Sequence, residues 1–575
     1  MLTRQKVQRR QPGAEPLTGI HPILSRVYSN RGVEQAADID YAATGLQPAH
    51  SLKDISKATH RLMDALQQQQ SIMVIGDYDT DGATSTALAL SGLKSLGFEH
   101  VDYLVPNRFD FGYGLTPEIV TVAATKKPDL IITVDNGIAS LAGVLRANEL
   151  GIDVLVTDHH LPGEELPEAV AIINPNQPGD EFPSKNLAGV GVMFYLLMAL
   201  RQHMRSQGWF VRQGVAEPNL AHFLDLVALG TVADVVPLDR NNRILVEQGL
   251  RRIRSGRALP GILALLRVAK RDYQRLRAND LGFAIGPRLN AAGRLDDISL
   301  GIECLLTQDP AMAEQYAAEL NTLNQERRLI ETEMQAQAIA CVDALQLDAA
   351  ELPWGLALFQ SDWHQGVVGL VASRIKDRVH RPVIAFADAD ERSMKGSARS
   401  IPGLHIRDAL ALVDSEHPGL IEKFGGHAMA AGLSLEKKHF DVFSQAFDQA
   451  VRSLLDIEQL SPVVHSDGEL DHRELNLDVA RVLNNCGPWG QAFPEPVFDG
   501  VFHILHRKVL QERHLKFTLI PKGGQRSVDA IVFNVAPDEW PGDGELFHIA
   551  YSLEVNAYQG MERAQLMIKA LGTAQ

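Results

Sequence analysis

The sequence predicts an α/β protein: a parallel sheet flanked by helices, then a helical linker, a second α/β region and a small C-terminal β-barrel. Three observations predict it. Between residues 71 and 175, five short apolar runs (SIMVIGD, VDYLVPN, LIITVDNG, IDVLVTDHH and AIINP) alternate with Ala- and Leu-rich stretches. All-apolar strands separated by helices belong to a parallel sheet covered on both faces. The segment 310–345 carries Tyr316, Leu320, Leu323, Ile330 and Met334 at helical spacing among many charges, the pattern of a long connector between lobes. From about residue 462 the texture becomes short alternating segments with turns at Gly523–Gly524 and Pro541–Gly542, which reads as a barrel or sandwich.

In chain order, residues 1–50 are a mixed lead-in whose HPILSRVYSNRG forms a short helix ended by Gly32. ATSTALALSGLKSLG (83–97) is the helix after the first strand. The nearly apolar stretch 187–200 is too short for the ~20 residues that cross a bilayer and reads as a buried helix. Residues 221–345 are mainly helical. WGLALFQ (354–360), HQGVVGLVASRIKDR (364–378) and PVIAFA (382–387) make a strand, helix, strand unit, and VFHILHRKVL, HLKFTLIP, VDAIVFNV and LFHIAYSLEVNAY supply the barrel. Trp354, Trp363 and Trp489 are assigned to cores.

Composition narrows the class. With 575 residues, 45% hydrophobic and 22% charged, the chain has material for several cores and is neither collagenous nor disordered. Cys304, Cys341 and Cys486 form no CxxC, which argues against a disulfide framework or a structural zinc site and for a reducing, cytoplasmic setting. The N-terminal MLTRQKVQRRQPGAEP has no apolar core of a secretory signal. The net charge of −16 repels a polyanion, so nucleic acid would have to meet local basic patches. One candidate is 251–277, where nine Lys and Arg face the single acid Asp272; a solvated helical face is the alternative. No GxxxxGK[ST] motif supports ATP-driven translocation.

The chemistry concentrates at strand ends. Asp77, Asp135 and Asp158 each follow an apolar run, and in open α/β sheets such ends face the binding crevice. Carboxylates converging there repel, so metal ions between them are the natural counter-charge. In Gly76-Asp77-Tyr78-Asp79-Thr80-Asp81-Gly82 three acids alternate, a set of hard oxygen donors suited to Mg²⁺ or Mn²⁺. A calcium loop is excluded because its twelfth position is Leu88. His159 and His160 follow Asp158, one to ligate a metal and the other to meet substrate or move a proton. Asp234 in GTVADVVPL completes the set.

Taken in order, GDYDTDG, VDNG, TDHH and GTVADVVPL are similar to the motifs of the DHH phosphoesterase superfamily. GPRLNAAGRL (286–295), WHQGVVGLVASRI (363–375), KGSARS (395–400) and KFGGHAMAAG (423–432) resemble its bacterial single-strand-specific exonuclease branch. The resemblance implies a lead-in at 1–50, a DHH catalytic domain at 51–235, a helical linker at 236–345, a DHHA1 domain at 346–457 and an OB-fold at 458–575. It implies hydrolysis of single-stranded DNA from the 5′ end to mononucleotides with two Mg²⁺ or Mn²⁺ ions, in recombination, base-excision and mismatch repair. Asp135 would bridge the ions, Asp79 would serve the first, and Asp81, His159 and Asp234 the second. Ile75 stands where some members carry a His, so Asp77 is expected to substitute, directly or through water, at a site that is weaker or filled only with substrate. His160 would back the ions or face the phosphate, as a proton donor.

The resemblance also places Arg288, Asn290 and Arg294 on the scissile and adjacent phosphates, since guanidinium forks match phosphate oxygens; helix capping or an internal ion pair is the alternative. Gly396, Ser397 and Arg399 would form an anion nest for the 5′ end, with Arg108 on the 5′-phosphate and Gly426 and His427 approaching the nucleotide. Arg507, Lys508, Arg513, His514, Lys516 and Phe517 have the composition of a sequence-tolerant groove. The implied partners of this monomer are single-stranded DNA, single-strand-binding protein and a RecQ-type helicase, with no membrane. A small-substrate phosphatase on the same scaffold is disfavoured by the β-rich end. A non-enzymatic single-strand-binding scaffold would have lost the metal ligands, which are all present.

Overall fold

The computed structural model describes residues 4–106, 114–344, 352–511, 514–535, 540, 546–558 and 560–572. It divides into two compact units. In the unit formed by Val33–Gln325 and Gly487–Glu495, the five apolar runs are the strands Ile72–Ile75, Val101–Leu104, Leu130–Val134, Asp153–Thr157 and Ala171–Ile173. All pair in parallel, and the spatial order runs second, first, third, fourth, fifth. The two central strands, Ile72–Ile75 and Leu130–Val134, are buried at every position because helices cover both faces, whereas the edge strand Val101–Leu104 carries the exposed Asp102. Met73, Ile75, Ile131, Val154 and Val156 share a core with Ile119, Val120, Val144 and Ala147 from the helices Pro117–Ala124 and Leu141–Glu149. Thr80–Ser95, with no charge between Asp81 and Lys94, is buried along most of its length and packs against Gly189–Ser206 and Leu224–Ala233.

This strand order reverses direction at the first and third strands, and the crevice at such a switch point is where α/β sheets bind ligands. Ile75 is opposite Thr133, Val134 opposite Thr157, and Thr157 opposite Ile173. Continuing these registers sets Asp77, Asp135, Asp158 and Asn174 in one row along the carboxyl edge.

The other unit comprises Met1–Gly32, Glu326–Cys486 and Pro496–Gln575. One five-stranded sheet orders Lys423–Gly426, Ala430–Glu436, Ser393–Arg399, Val383–Asp388 and Leu356–Phe359, antiparallel except for the last pair. The barrel strands are Phe498–Leu510, His514–Pro521, Val528–Phe533, Phe547–Tyr558 and Met561–Gly572. Closure comes from Phe547–Tyr558, which pairs with both Phe498–Leu510 and Met561–Gly572.

The expected helix near residue 25 is Pro22–Ser29, and Gly32 follows it with φ 70°. The lead-in nevertheless holds a strand that its charged sequence concealed. Arg4–Arg9 pairs in parallel with Val463–Ser466 and with Met561–Gly572. The buried Asp499 holds it by accepting from Arg9, as well as from Ser466 and His548, and the buried Asp467 holds the end of the following helix by accepting from Arg31 and Asn30. Trp363 and Trp489 are buried and Trp354 packs against a core. No helix among the described residues is long and apolar enough to cross a membrane.

Candidate metal centre

The acidic loop begins where Ile72–Ile75 ends. Asp79 caps Thr80–Ser95, its Oδ1 accepting from the N–H groups of Asp81 (2.9 Å) and Gly82 (3.0 Å). The carboxylate of Asp81 lies at the N-terminus of a different helix, Gly189–Ser206, and accepts from Gly189 N (2.6 Å) and Val190 N (3.0 Å), where the helix dipole favours negative charge. Asp135 follows the third strand with φ 62°, a left-handed conformation that Asp adopts more readily than most residues. Gly189 is close-packed there: a Cβ would stand 2.6 Å from the Asp135 Cβ.

The fourth strand supplies both histidines. Nε2 of His159 is 3.1 Å from Asp135 Oδ1 and 3.5 Å from Asp234 Oδ2. Nδ1 of His160 is 2.7 Å from Asp158 Oδ1, which also accepts from the N–H groups of His159 and His160; Oδ2 accepts from Ile138 N. The carbonyls of His159 and His160 accept from Asn176 and Asn174. Asp234 closes the helix Leu224–Ala233 as its C-terminal cap.

Three overlapping groups result: Asp77, Asp79 and Asp135; Asp81, His159 and Asp234; and Asp135, His159 and His160. In each group the ligand atoms all lie within 4.8 Å of one another. Asp135 belongs to two of them.

Crowding raises proton affinity. Burial and the charge of Asp79 push the Asp81 carboxyl up to about 7 against its two N–H donors. Burial and the neighbouring Asp81 and Asp79 push Asp135 and Asp234 well above the carboxylate range. Asp158 behaves differently: burial raises it, but the hydrogen bond and charge of His160 outweigh that and bring it down to about 2. Burial lowers His160, and its bond to Asp158 more than reverses this, up to about 9. The donor set of acids and one or two imidazoles, too crowded to stay ionised alone, fits hard divalent cations.

Sequence reasoning singled out Asp158 as a strand-end acid without giving it this orienting task, and it missed Gly189, Val190, Asn174 and Asn176. Asn174 alone left a signal, as a polar residue ending an apolar strand in register with the acids.

Family models match three stretches of the chain: the DHH family N-terminal domain at residues 71–231, the DHHA1 domain at 352–453 and the RecJ OB domain at 466–570. The chain is 55% identical, over 98% of both chains, to the single-stranded-DNA-specific exonuclease RecJ of Dickeya dadantii (strain 3937). It is 54% identical, over 95% of both, to that of Escherichia coli (strain K12). The chain belongs to the RecJ family. Its fold matches the crystal structure of RecJ in complex with Mn²⁺ from Thermus thermophilus with a TM-score of 0.81, at 29% identity over 99% of this chain and 80% of that one. The Mg²⁺ complex of the same protein matches with a TM-score of 0.75, at 28% identity over 99% and 79%.

In this RecJ-family chain the expected phosphate ligands fall into two sets. Arg288, Asn290 and Arg294 lie on the helix Gly286–Leu295 in the unit of the metal cluster. Asn290 is a clamp on the acidic loop: its Oδ1 accepts from Thr80 N and Thr80 Oγ1, both at 2.8 Å. Arg288 donates to Asn321 and to the Ala284 carbonyl.

Gly396, Ser397, Arg399, Gly426 and His427 lie in the other unit. There the residues expected to form the anion nest fall on a strand. Residues 393–399 are an interior strand whose backbone is committed to ladders on both sides. Gly396 serves packing: a Cβ there would stand 2.5 Å from the Phe386 ring. Ser397 and Arg399 are joined side chain to side chain at 3.0 Å. Gly426 turns with φ 145° and precedes the exposed His427. Arg108 and Arg513 lie outside the described residues.

Several cations of the basic stretch 251–277 are paired with acids, Arg252 with Asp225 and Arg267 with Glu314 across long sequence separations, and Arg271 with the nearby Asp280.

Proposed function

We propose that this RecJ-family chain is a single-strand-specific exodeoxyribonuclease that hydrolyses DNA from the 5′ end and releases 5′-mononucleotides, in recombination and in repair, including mismatch repair. The observation that carries this reading is the row of acids at the switch point, in which Asp135 is shared between neighbouring ligand groups. Asp77, Asp79 and Asp135 would hold one Mg²⁺ or Mn²⁺, and Asp135, Asp81, His159 and Asp234 the other. Two such ions, when bound, activate the attacking water and stabilise the leaving oxygen of an in-line displacement.

The chain's own residues do the rest. The N-terminus of Gly189–Ser206 fixes Asp81, the left-handed turn at Asp135 aims a carboxylate between the two groups, and Asp158 orients His160 toward the phosphate as proton donor. Arg288 and Arg294 take the adjacent phosphates; Ser397, Arg399, Gly426 and His427 take the 5′ end. The chain acts as a monomer in the cytoplasm, with single-strand-binding protein and a RecQ-type helicase as partners, by likeness to the family.

The test follows product release from single-stranded DNA labelled at the 5′ or the 3′ end, with and without Mn²⁺, beside a blunt duplex. Immediate, metal-dependent release of 5′-labelled mononucleotide with the duplex spared is expected. Release from the 3′ end first, or tight binding without cleavage, overturns the reading.

A further inference from the structure

Phe283 is 78% exposed. It stands on a single π-helical turn, Leu281–Ile285, that leads into the helix carrying Arg288, Asn290 and Arg294. Leu281, Ala284 and Ile285 are buried, so the turn is anchored from within and holds one aromatic ring outward. Such π turns are frequent at functional sites.

Close packing locates this turn beside the metal cluster. A Cβ on Gly282 would come 3.3 Å from Val232 Cγ1, and one on Gly286 would come 3.4 Å from the Ala233 Cβ. Val232 and Ala233 are the last residues of the helix that Asp234 caps. Farther along the Arg288 helix, a Cβ on Gly293 would stand 2.0 Å from the Tyr78 carbonyl, inside the acidic loop. Val235, directly after Asp234, is 62% exposed with φ 61°, an outlying conformation for a β-branched residue. A second apolar side chain is thus held out next to the same ligand.

We propose that Phe283 is a stacking platform for an unpaired nucleobase adjoining the phosphodiester at the metal cluster. This rests on the nucleic-acid reading above. Any phosphodiester seated at the cluster carries a base on each side, and the exposed apolar side chains on this flank include an aromatic ring and Val235. A base stacks on an aromatic ring without sequence preference. Inside a duplex a base is already stacked and paired, so the platform accepts a single strand and adds to strand selection.

The test is a cycle between protein and substrate. Wild type and Phe283→Ala are compared on natural single-stranded DNA and on strands with one abasic site, moved a nucleotide at a time from the degraded end. At one position the abasic site is expected to cost wild type about ten- to a hundredfold in kcat/KM, chiefly through KM. Phe283→Ala shows the same loss on natural DNA and no further loss on that substrate. Phe283→Trp restores activity and Phe283→Leu does not, which separates stacking from simple packing. Wild-type behaviour of Phe283→Ala, or additive losses at every position, overturns the proposal.

Binding of 2-aminopurine DNA gives a readout independent of cleavage. Quenching at that position by wild type but not by Phe283→Ala supports the platform even if no strand is cut, an outcome that would remove only the nuclease reading. Quenching retained in Phe283→Ala refutes the platform alone.

Discussion

Gly230→Ala separates two physical expectations of opposite sign. The residue lies within the helix Leu224–Ala233, where replacing Gly by Ala gains about 1 kcal/mol of helix propensity. The new Cβ would stand 2.3 Å from Thr84 Oγ1, 2.6 Å from Asp81 Oδ1 and 2.7 Å from Val190 Cγ1. Overpacking of this kind costs about 1–3 kcal/mol, so the net change in stability is about 0–2 kcal/mol unfavourable. The effect on the site is larger. Asp81 is held by two N–H donors, and hydrogen bonds to charged groups contribute about 1.5–3 kcal/mol. Loss of one by displacement of the carboxylate corresponds to about ten- to a hundredfold in ion affinity. Cleavage of single-stranded DNA across a Mn²⁺ series, beside thermal unfolding, reads both effects. The half-saturating Mn²⁺ is expected to rise about tenfold or more while Tm stays level or falls. A raised Tm with an unchanged Mn²⁺ midpoint would refute the claim that this helix contact positions Asp81.

Other substitutions probe the remaining parts. Asp158→Ala removes the acceptor for Ile138 N, His159 N, His160 N and His160 Nδ1. Cleavage and Tm are both expected to fall, with Asp158→Asn intermediate; equal behaviour of the two variants would contradict the orienting role. Asp499 reports on pH. Burial raises its carboxyl, but His548, Arg9 and Ser466 hold it below the ordinary range, so its stabilising contribution is complete above the unfolded value of about 3.9 and declines as pH falls toward the lower folded value. The gap in denaturant midpoint between wild type and Asp499→Asn is expected to stay level above about pH 5 and to narrow as pH falls below it, and a constant gap would show that its ionisation carries none of the stability.

What the sequence made legible follows from where the information is local. Three of the five strands of the parallel sheet are mainly apolar runs that end at or just before an acid, so Asp77, Asp135 and Asp158 marked both the fold and its binding edge. The structure's more distant pairings left no such trace. The sequence separation of 108 between Asp81 and Gly189 hides the helix N-terminus that holds that carboxylate. The cations of 251–277 look unpaired because Asp225 and Glu314 lie outside the segment. The strand Arg4–Arg9 is charged rather than alternating because Asp499 receives Arg9 in place of an apolar core contact. KGSARS reads as an anion nest, yet its small residues are those of an interior strand whose Gly396 lies against Phe386.

The central claim is that Asp135 joins two ion sites that together cleave DNA. Electron paramagnetic resonance of the Mn²⁺-loaded chain with a cleavage-resistant single-stranded oligonucleotide tests it most directly, with Asp135→Asn alongside because Asn tolerates the left-handed backbone at that position. The account requires a spin-coupled Mn²⁺ pair in wild type, and in Asp135→Asn only isolated ions, DNA binding retained and no cleavage. Isolated ions in wild type, or cleavage by Asp135→Asn at near wild-type rate, would contradict it.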